Sequence, residues 1–252
     1  MALLSTIRDL HRRKGRERRG LALAEGVRLV EEMLAAGAPC KGVAVSPTLD
    51  ATPRGVRLRQ RLAATGVIVE TITDAELADV AATEHAQGVV AVYQAKAWTL
   101  AECAAVARHP LVILDAVQDP GNVGTIARTA LAFGASGLVA LPGTADLTNP
   151  KAVRGAMGGL FRLPHCHADD AAVLGMLAQR SIALWAMAMD GEPLADGAPA
   201  GPVAIVLGNE GAGIRPELLA RAARQVTIPI AAGAESLNVA VAAGIALHQV
   251  TR

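Results

Sequence analysis

Aromatic side chains are nearly absent: two Trp, two Phe and one Tyr make up 2% of the 252 residues. A surface that reads nucleic acid by rows of stacked bases needs such rings, which argues against that mode of recognition. Cysteine is scarce as well. Cys40, Cys103 and Cys166 lie far apart in the chain and form no C-x-x-C pair, so neither a disulfide framework nor a common zinc pattern is supported. The run His165, Cys166, His167 offers ligand atoms, but neighbours on an extended segment face opposite sides, and it reads as a strand end with no metal. No uninterrupted apolar run approaches the roughly 20 residues that span a bilayer, and the N-terminus becomes charged before a signal-peptide core develops. The expected compartment is the cytoplasm.

Apolar residues, at 52%, are ample for a core, and the length suits one large domain or two ordinary ones. The net charge of +1 conceals an asymmetry: residues 1–96 hold 14 Lys and Arg against 11 Asp and Glu, the remainder 10 against 12. Much of the excess sits in Arg12, Arg13, Lys14, Arg16, Arg18 and Arg19. Such a run is either a solvated helix end or a phosphate-binding element that displaces condensed counterions from a nucleic acid.

Helical and strand patterns alternate through the first part. "GVRLVEEMLAAG" places Val27, Val30 and Leu34 on one face and closes at Gly37; "KGVAVSP", "GVIVETI" and "HAQGVVAVYQ" read as strands, with a basic segment between the first two. This predicts a small α/β domain over 1–96, a partly helical linker over 97–109, and a second α/β domain over 110–252. In the second, "LVILDAV", a turn-and-helix, and "ASGLVAL" form a βαβ unit with a parallel sheet, and further strands are expected at "SIALWAMAM", "VAIVLG" and "VTIPI".

Three loops carry more polar chemistry than packing requires. "DAVQDPGNVGTIART" feeds a helix that Asn122 is placed to cap, with Arg128 six residues on; it lacks both the Walker G-K-[ST] and the G-x-G-x-x-G spacing. "VAIVLGNEGAGIRPEL" sets Asn209 and Glu210 at the carboxyl end of a strand, the edge where open α/β sheets bind ligands. "IPIAAGAESLNVAVAAGIALHQ" spends Glu235, Ser236 and Asn238 before an apolar helix, and a capping role for Ser236 explains only one of the three.

In order, "DPGNVGTIART", "LGNEGAGI" and "IPIAAGAESLNVAVAAGIAL" resemble the three signature motifs of the SpoU (TrmH-type) RNA ribose methyltransferases of the SPOUT superfamily, and "LALAEGVRLVEEML" resembles the substrate-binding domain that precedes them. In "NPKAVRGAMGGLFRLP", which resembles a further family segment, Ala156 stands where a serine is expected. The resemblance implies a mostly parallel SPOUT domain with a deep trefoil knot, a homodimer, and S-adenosylmethionine (SAM) as cofactor, held by Leu207, Gly208, Asn209, Gly213, Ile228, Ser236 and Leu237. It implies methyl transfer to a ribose 2'-hydroxyl through Arg128, supported by Asn122, Glu210, Ser236 and Asn238. The two-domain arrangement favours 23S ribosomal RNA, gripped by the basic run, over tRNA. A catalytically silent RNA-binding assembly factor would not need those five polar residues together.

Overall fold

The computed structural model describes residues 2–83, 86–105, 109–194, 199–231, 233 and 235–252. Parts of the expected linker (106–108), fourth strand (85) and third loop (232, 234) lie outside them. The chain divides into two compact units: residues 1–96 with 148–161, and residues 97–147 with 162–252. Elements are numbered in chain order.

The first unit holds helices α1 (Ala2–Leu10), α2 (Arg13–Arg19), α3 (Val27–Ala35), α4 (Pro53–Ala64), α5 (Asp74–Val80) and α8 (Pro150–Gly155), and strands β1 (Leu21–Glu25), β2 (Cys40–Val45), β3 (Val69–Thr71) and β4 (Val89–Gln94). The sheet order is β1-β4-β2-β3, antiparallel except for the β2–β3 pair. Central β4 is buried from Val89 to Tyr93 without alternation, because both its faces are covered. Helix α3 buries Val27, Leu29, Val30 and Met33, and ends before Gly37, whose φ of 68° is adopted most easily by a residue lacking Cβ. The basic stretch between β2 and β3 is α4, where Thr52 accepts a hydrogen bond from the Gly55 N–H. Helices α1, α2 and α5 were not anticipated from the hydropathy pattern.

The second unit contains α6 (Leu100–Cys103), β5 (Leu111–Leu114), α7 (Pro120–Ala132), β6 (Gly137–Ala140), β7 (His165–His167), α9 (Asp170–Gln179), β8 (Ala183–Pro193), β9 (Val203–Leu207), α10 (Pro216–Leu219), β10 (Arg224–Thr227) and α11 (Val239–Val250). Its sheet runs β10-β8-β9-β5-β6-β7, and every pair is parallel. Strands β5 and β9 are buried throughout, as expected of a parallel sheet covered on both faces. From β5 the chain moves outward to β6 and β7 on one side, while β9 and β8 lie on the other. The order therefore reverses between β5 and β9.

The His165–His167 run is the edge strand β7, and the described residues contain no cluster of potential metal ligands. The cysteines are distant in sequence, but folding brings the Cys103 thiol 3.6 Å from Cys166 Sγ as a hydrogen-bond donor. The third expected strand is shorter than "VTIPI", stopping at Thr227. No described helix is long and apolar enough to cross a membrane.

Candidate active site

Register places the first two polar loops side by side. Leu114 pairs with Leu207, and the next residue, Asp115, donates its N–H to the Leu207 carbonyl at 2.8 Å. The Asp115 carboxylate is fully buried and is received by Arg215, from the backbone N–H at 2.8 Å and from Nε at 2.6 Å. The outer edge of the same guanidinium forks onto Asp170, at 2.9 and 2.8 Å. One arginine thus ties the end of β5 to the starts of α9 and α10. A buried carboxylate without this partner would be strongly destabilising. Sequence reasoning missed the cluster; its signal is an acid directly after an apolar strand and an arginine directly before a helix-starting proline.

The strand-end bend is strained. Ala116 sits at φ 56°, an uncommon conformation for a residue with a Cβ, and its carbonyl accepts a hydrogen bond from Asn209 Nδ2 at 2.8 Å. Asn209 also accepts from the Gly211 and Ala212 N–H groups and exchanges backbone hydrogen bonds with Gly213. Its amide is therefore spent on shaping the second loop and tying it to the first. That loop folds back so closely that a Cβ on Gly208 would lie 2.3 Å from the Gly213 carbonyl carbon.

Two capping expectations are corrected. Asp119, not Asn122, caps α7, accepting from the Gly121 N–H at 2.9 Å. Asn238, not Ser236, caps α11, accepting from the Ala240 and Val241 N–H groups. Asn122 is instead free to join a chain that links all three loops: its Nδ2 donates to Glu210 Oε1 at 3.0 Å, and its Oδ1 accepts from Asn238 Nδ2 at 3.1 Å. The ends of the chain fix its direction. A carboxylate only accepts and a helix N-terminus only donates, so both amides are locked in one orientation. Glu210 also receives the N–H groups of Gln118 and Asp119. Partial burial raises its pKa, but these hydrogen bonds outweigh it and hold the carboxyl below the usual glutamate range.

Beside this chain lies a cleft of about 500 Å³. Leu207, Gly208, Asn209, Gly213, Ile228, Ser236 and Leu237, the residues expected around a cofactor, all line it, together with Glu210 and Asn238. Met189, Ile230 and Leu237 leave apolar surface exposed on its walls. Ser236 is exposed and makes no hydrogen bond among the described residues. Arg128 stands apart: it is on the outer face of α7, exposed, off the cleft lining and without a hydrogen bond or ion pair among the described residues.

The basic run lies in the first unit and is less open than its sequence suggests. Arg16 departs from expectation, being buried with Nη1 donating to the Leu10 and His11 carbonyls. Arg18 and Arg19 share Asp9, and Arg13 pairs with Glu17 one helical turn away. Arg12 and Lys14 are exposed.

Fold and site define an α/β protein with a cleft at the carboxyl ends of β9 and β10 in a parallel sheet, rimmed by a carboxylate–amide chain. Residues 109–248 match the model of the SpoU rRNA Methylase family, and residues 4–91 match that of the MRM3-like substrate binding domain. The chain belongs to the SpoU rRNA methylase family. It is 33% identical to the 23S rRNA (guanosine(2553)-2'-O)-methyltransferase RlmP of Bacillus subtilis over 96% of this chain and 92% of that one. It is 32% identical to an uncharacterized tRNA/rRNA methyltransferase of Synechocystis, slr1673, over 99% and 90%. The crystal structure of the SpoU methyltransferase AviRb from Streptomyces viridochromogenes, in complex with AdoMet, superimposes with a TM-score of 0.87 at 28% identity, covering all of this chain and 97% of that one.

Proposed function

We propose that the protein transfers a methyl group from SAM to a ribose 2'-hydroxyl of 23S ribosomal RNA. The observation that carries this reading is the convergence of Glu210, Asn122 and Asn238, from three separate motifs, beside the cleft at the carboxyl ends of β9 and β10. The name of the Bacillus relative favours ribosomal RNA over tRNA.

The cleft fits the cofactor by its chemistry. Leu237, Ile230 and Met189 offer apolar surface to an adenosyl group, while the loop backbone at Gly208 and Ile228 and the Ser236 hydroxyl supply polar contacts. Asn209 and Gly213 contribute shape, their hydrogen-bonding groups being occupied by each other and by the loop. When bound, SAM supplies a methyl group already activated by its sulfonium. The protein's task is to hold the RNA hydroxyl in line and to manage its proton. Arg128 binds the phosphate beside the target ribose and stabilises the developing alkoxide; a guanidinium donates hydrogen bonds and accepts none, so the proton passes instead to water or phosphate. Glu210 and Asn238 hold the amide of Asn122 toward the reacting groups.

Residues 1–96 form the RNA-binding domain, 97–109 the linker and 110–252 the methyltransferase domain, although 148–161 packs with the first unit. The methyltransferase domain carries a deep trefoil knot and pairs with a second copy as a homodimer in the cytoplasm. Exposed Leu131 and Val241, on the mutually packed α7 and α11, support the pairing, and Arg128 lies one turn from Leu131. Arg128→Lys keeps the charge and loses the fork. Methyl transfer slowed at least about tenfold with SAM affinity unchanged is the expected result; near-normal turnover contradicts a specific guanidinium role.

A further inference from the structure

The first unit contains its own cleft, of about 750 Å³, which neither the basic run nor the methyl-transfer chemistry accounts for. That volume is within the range of small-ligand sites, about 300–1,000 Å³. Its wall combines apolar surface from Val27, Ala86 and Met157 with the guanidinium groups of Arg28, Arg54 and Arg154.

The three arginines are not equivalent. Arg54 is committed to Glu31 through Nε and Nη2, at 2.8 and 2.5 Å. Arg28 projects from the first turn of α3, exposed, with no hydrogen bond or ion pair among the described residues. Arg154 is the informative one. Its Nη1 is buried yet makes no hydrogen bond among the described residues, the Glu25 carboxylate lying 4.0 Å away. Glu25 is occupied by the Ala82 N–H and the Thr83 hydroxyl. A buried donor without an acceptor is a cost to the free protein that a bound acceptor would remove. Next to it, Met157 is held at φ 48°, a left-handed conformation that residues with a Cβ seldom adopt. Strain and an unmet donor thus coincide on one wall of one cavity.

We propose that this cleft receives a single unstacked nucleotide of the RNA substrate. The proposal rests on the RNA-methylating reading above. The base lies against Val27, Ala86 and the polarisable thioether of Met157, in place of the aromatic platform the chain lacks. A base carbonyl or ring nitrogen accepts from Arg154 Nη1, and the neighbouring phosphate meets Arg28. The charge balance favours RNA over an acidic peptide. Glu31 and Glu25 already face Arg54 and Arg154, leaving one unpaired cation, which suits one phosphate on an otherwise apolar ligand.

The test uses the full chain and an unmodified 23S ribosomal RNA transcript, read by filter binding over a salt series and by photocrosslinking of 4-thiouridine-substituted RNA. Arg28→Ala removes a partnerless, exposed side chain and leaves the fold intact. It should weaken binding about tenfold and reduce the salt slope by about one. Met157→Gly relieves the backbone and deletes the thioether; it should weaken binding about tenfold with the salt slope unchanged. Arg61→Ala, an exposed charge on α4 that does not line the cleft, is the control. Crosslinks mapping to the peptide containing Met157 support the proposal. Arg28→Ala binding like wild type or like Arg61→Ala, or crosslinks confined to other peptides, overturn it. The two readings fail separately: methyl transfer with wild-type binding by Arg28→Ala sinks the cleft alone, whereas a Met157 crosslink without any methyl transfer sinks the catalytic reading alone.

Discussion

Asn238 performs two jobs with one amide: its oxygen caps α11 and its nitrogen holds Asn122. The jobs can be separated. Asn238→Asp keeps the acceptor and loses the donor, so melting should stay near wild type while methyl transfer falls by about tenfold or more; Asn238→Ala loses both and should also cost about 1 kcal/mol of stability. Equal activities for the two variants, with the Asp form as active as wild type, would show that the link to Asn122 has no part in turnover. Glu210 makes a second prediction. Hydrogen bonding depresses its folded pKa, so its contribution to holding the loops together is complete above the usual glutamate range and fades as pH falls through the lower folded value. SAM affinity measured down that acid range should decline in wild type, and Glu210→Gln should flatten the decline. Arg215 is held to its place by Asp115, which is wholly buried; Arg215→Ala should cost about 3 kcal/mol in denaturant unfolding, because it strands that carboxylate.

At the scale of elements, the second loop works by close approach. A methyl at Gly208 would meet Gly213 backbone at 2.3 Å, so Gly208→Ala must open the loop. A loss of about 1–3 kcal/mol in stability and at least about tenfold in SAM affinity is expected, by thermal unfolding and calorimetry; unchanged affinity would show that the loop's shape is not required for binding. This scale also shows what the sequence makes legible. Strands β5, β6 and β9 are continuous apolar runs closed by glycine-rich turns, and their burial follows from composition alone. Helices α2 and α4 are so rich in arginine that periodicity hides them, and their buried faces are sparse. Caps misled for a physical reason: Asp119, Asn122, Ser236 and Asn238 are all capable acceptors, and only the backbone geometry chooses among them. The meeting of Asp115, Asp170 and Arg215 depends on contacts 45 to 100 residues apart, which no local pattern encodes. Arg16 shows the converse, a charge that reads as exposed but is held by the Leu10 and His11 carbonyls at the end of α1 and by Thr148.

At the scale of the molecule, the proposed division of labour has one unit read RNA and the other methylate it, with two copies paired through α7 and α11. Val241, half exposed on α11, tests the pairing: Val241→Glu should shift sedimentation from dimer to monomer and reduce methyl transfer with it. The proposed activity is measured most simply as transfer of labelled methyl from SAM to separated 23S ribosomal RNA and tRNA lacking the modification, with Arg128→Ala alongside. A 2'-O-methylated nucleoside in 23S RNA that disappears in the variant is the expected result. Label confined to tRNA, or transfer undiminished without Arg128, would contradict it.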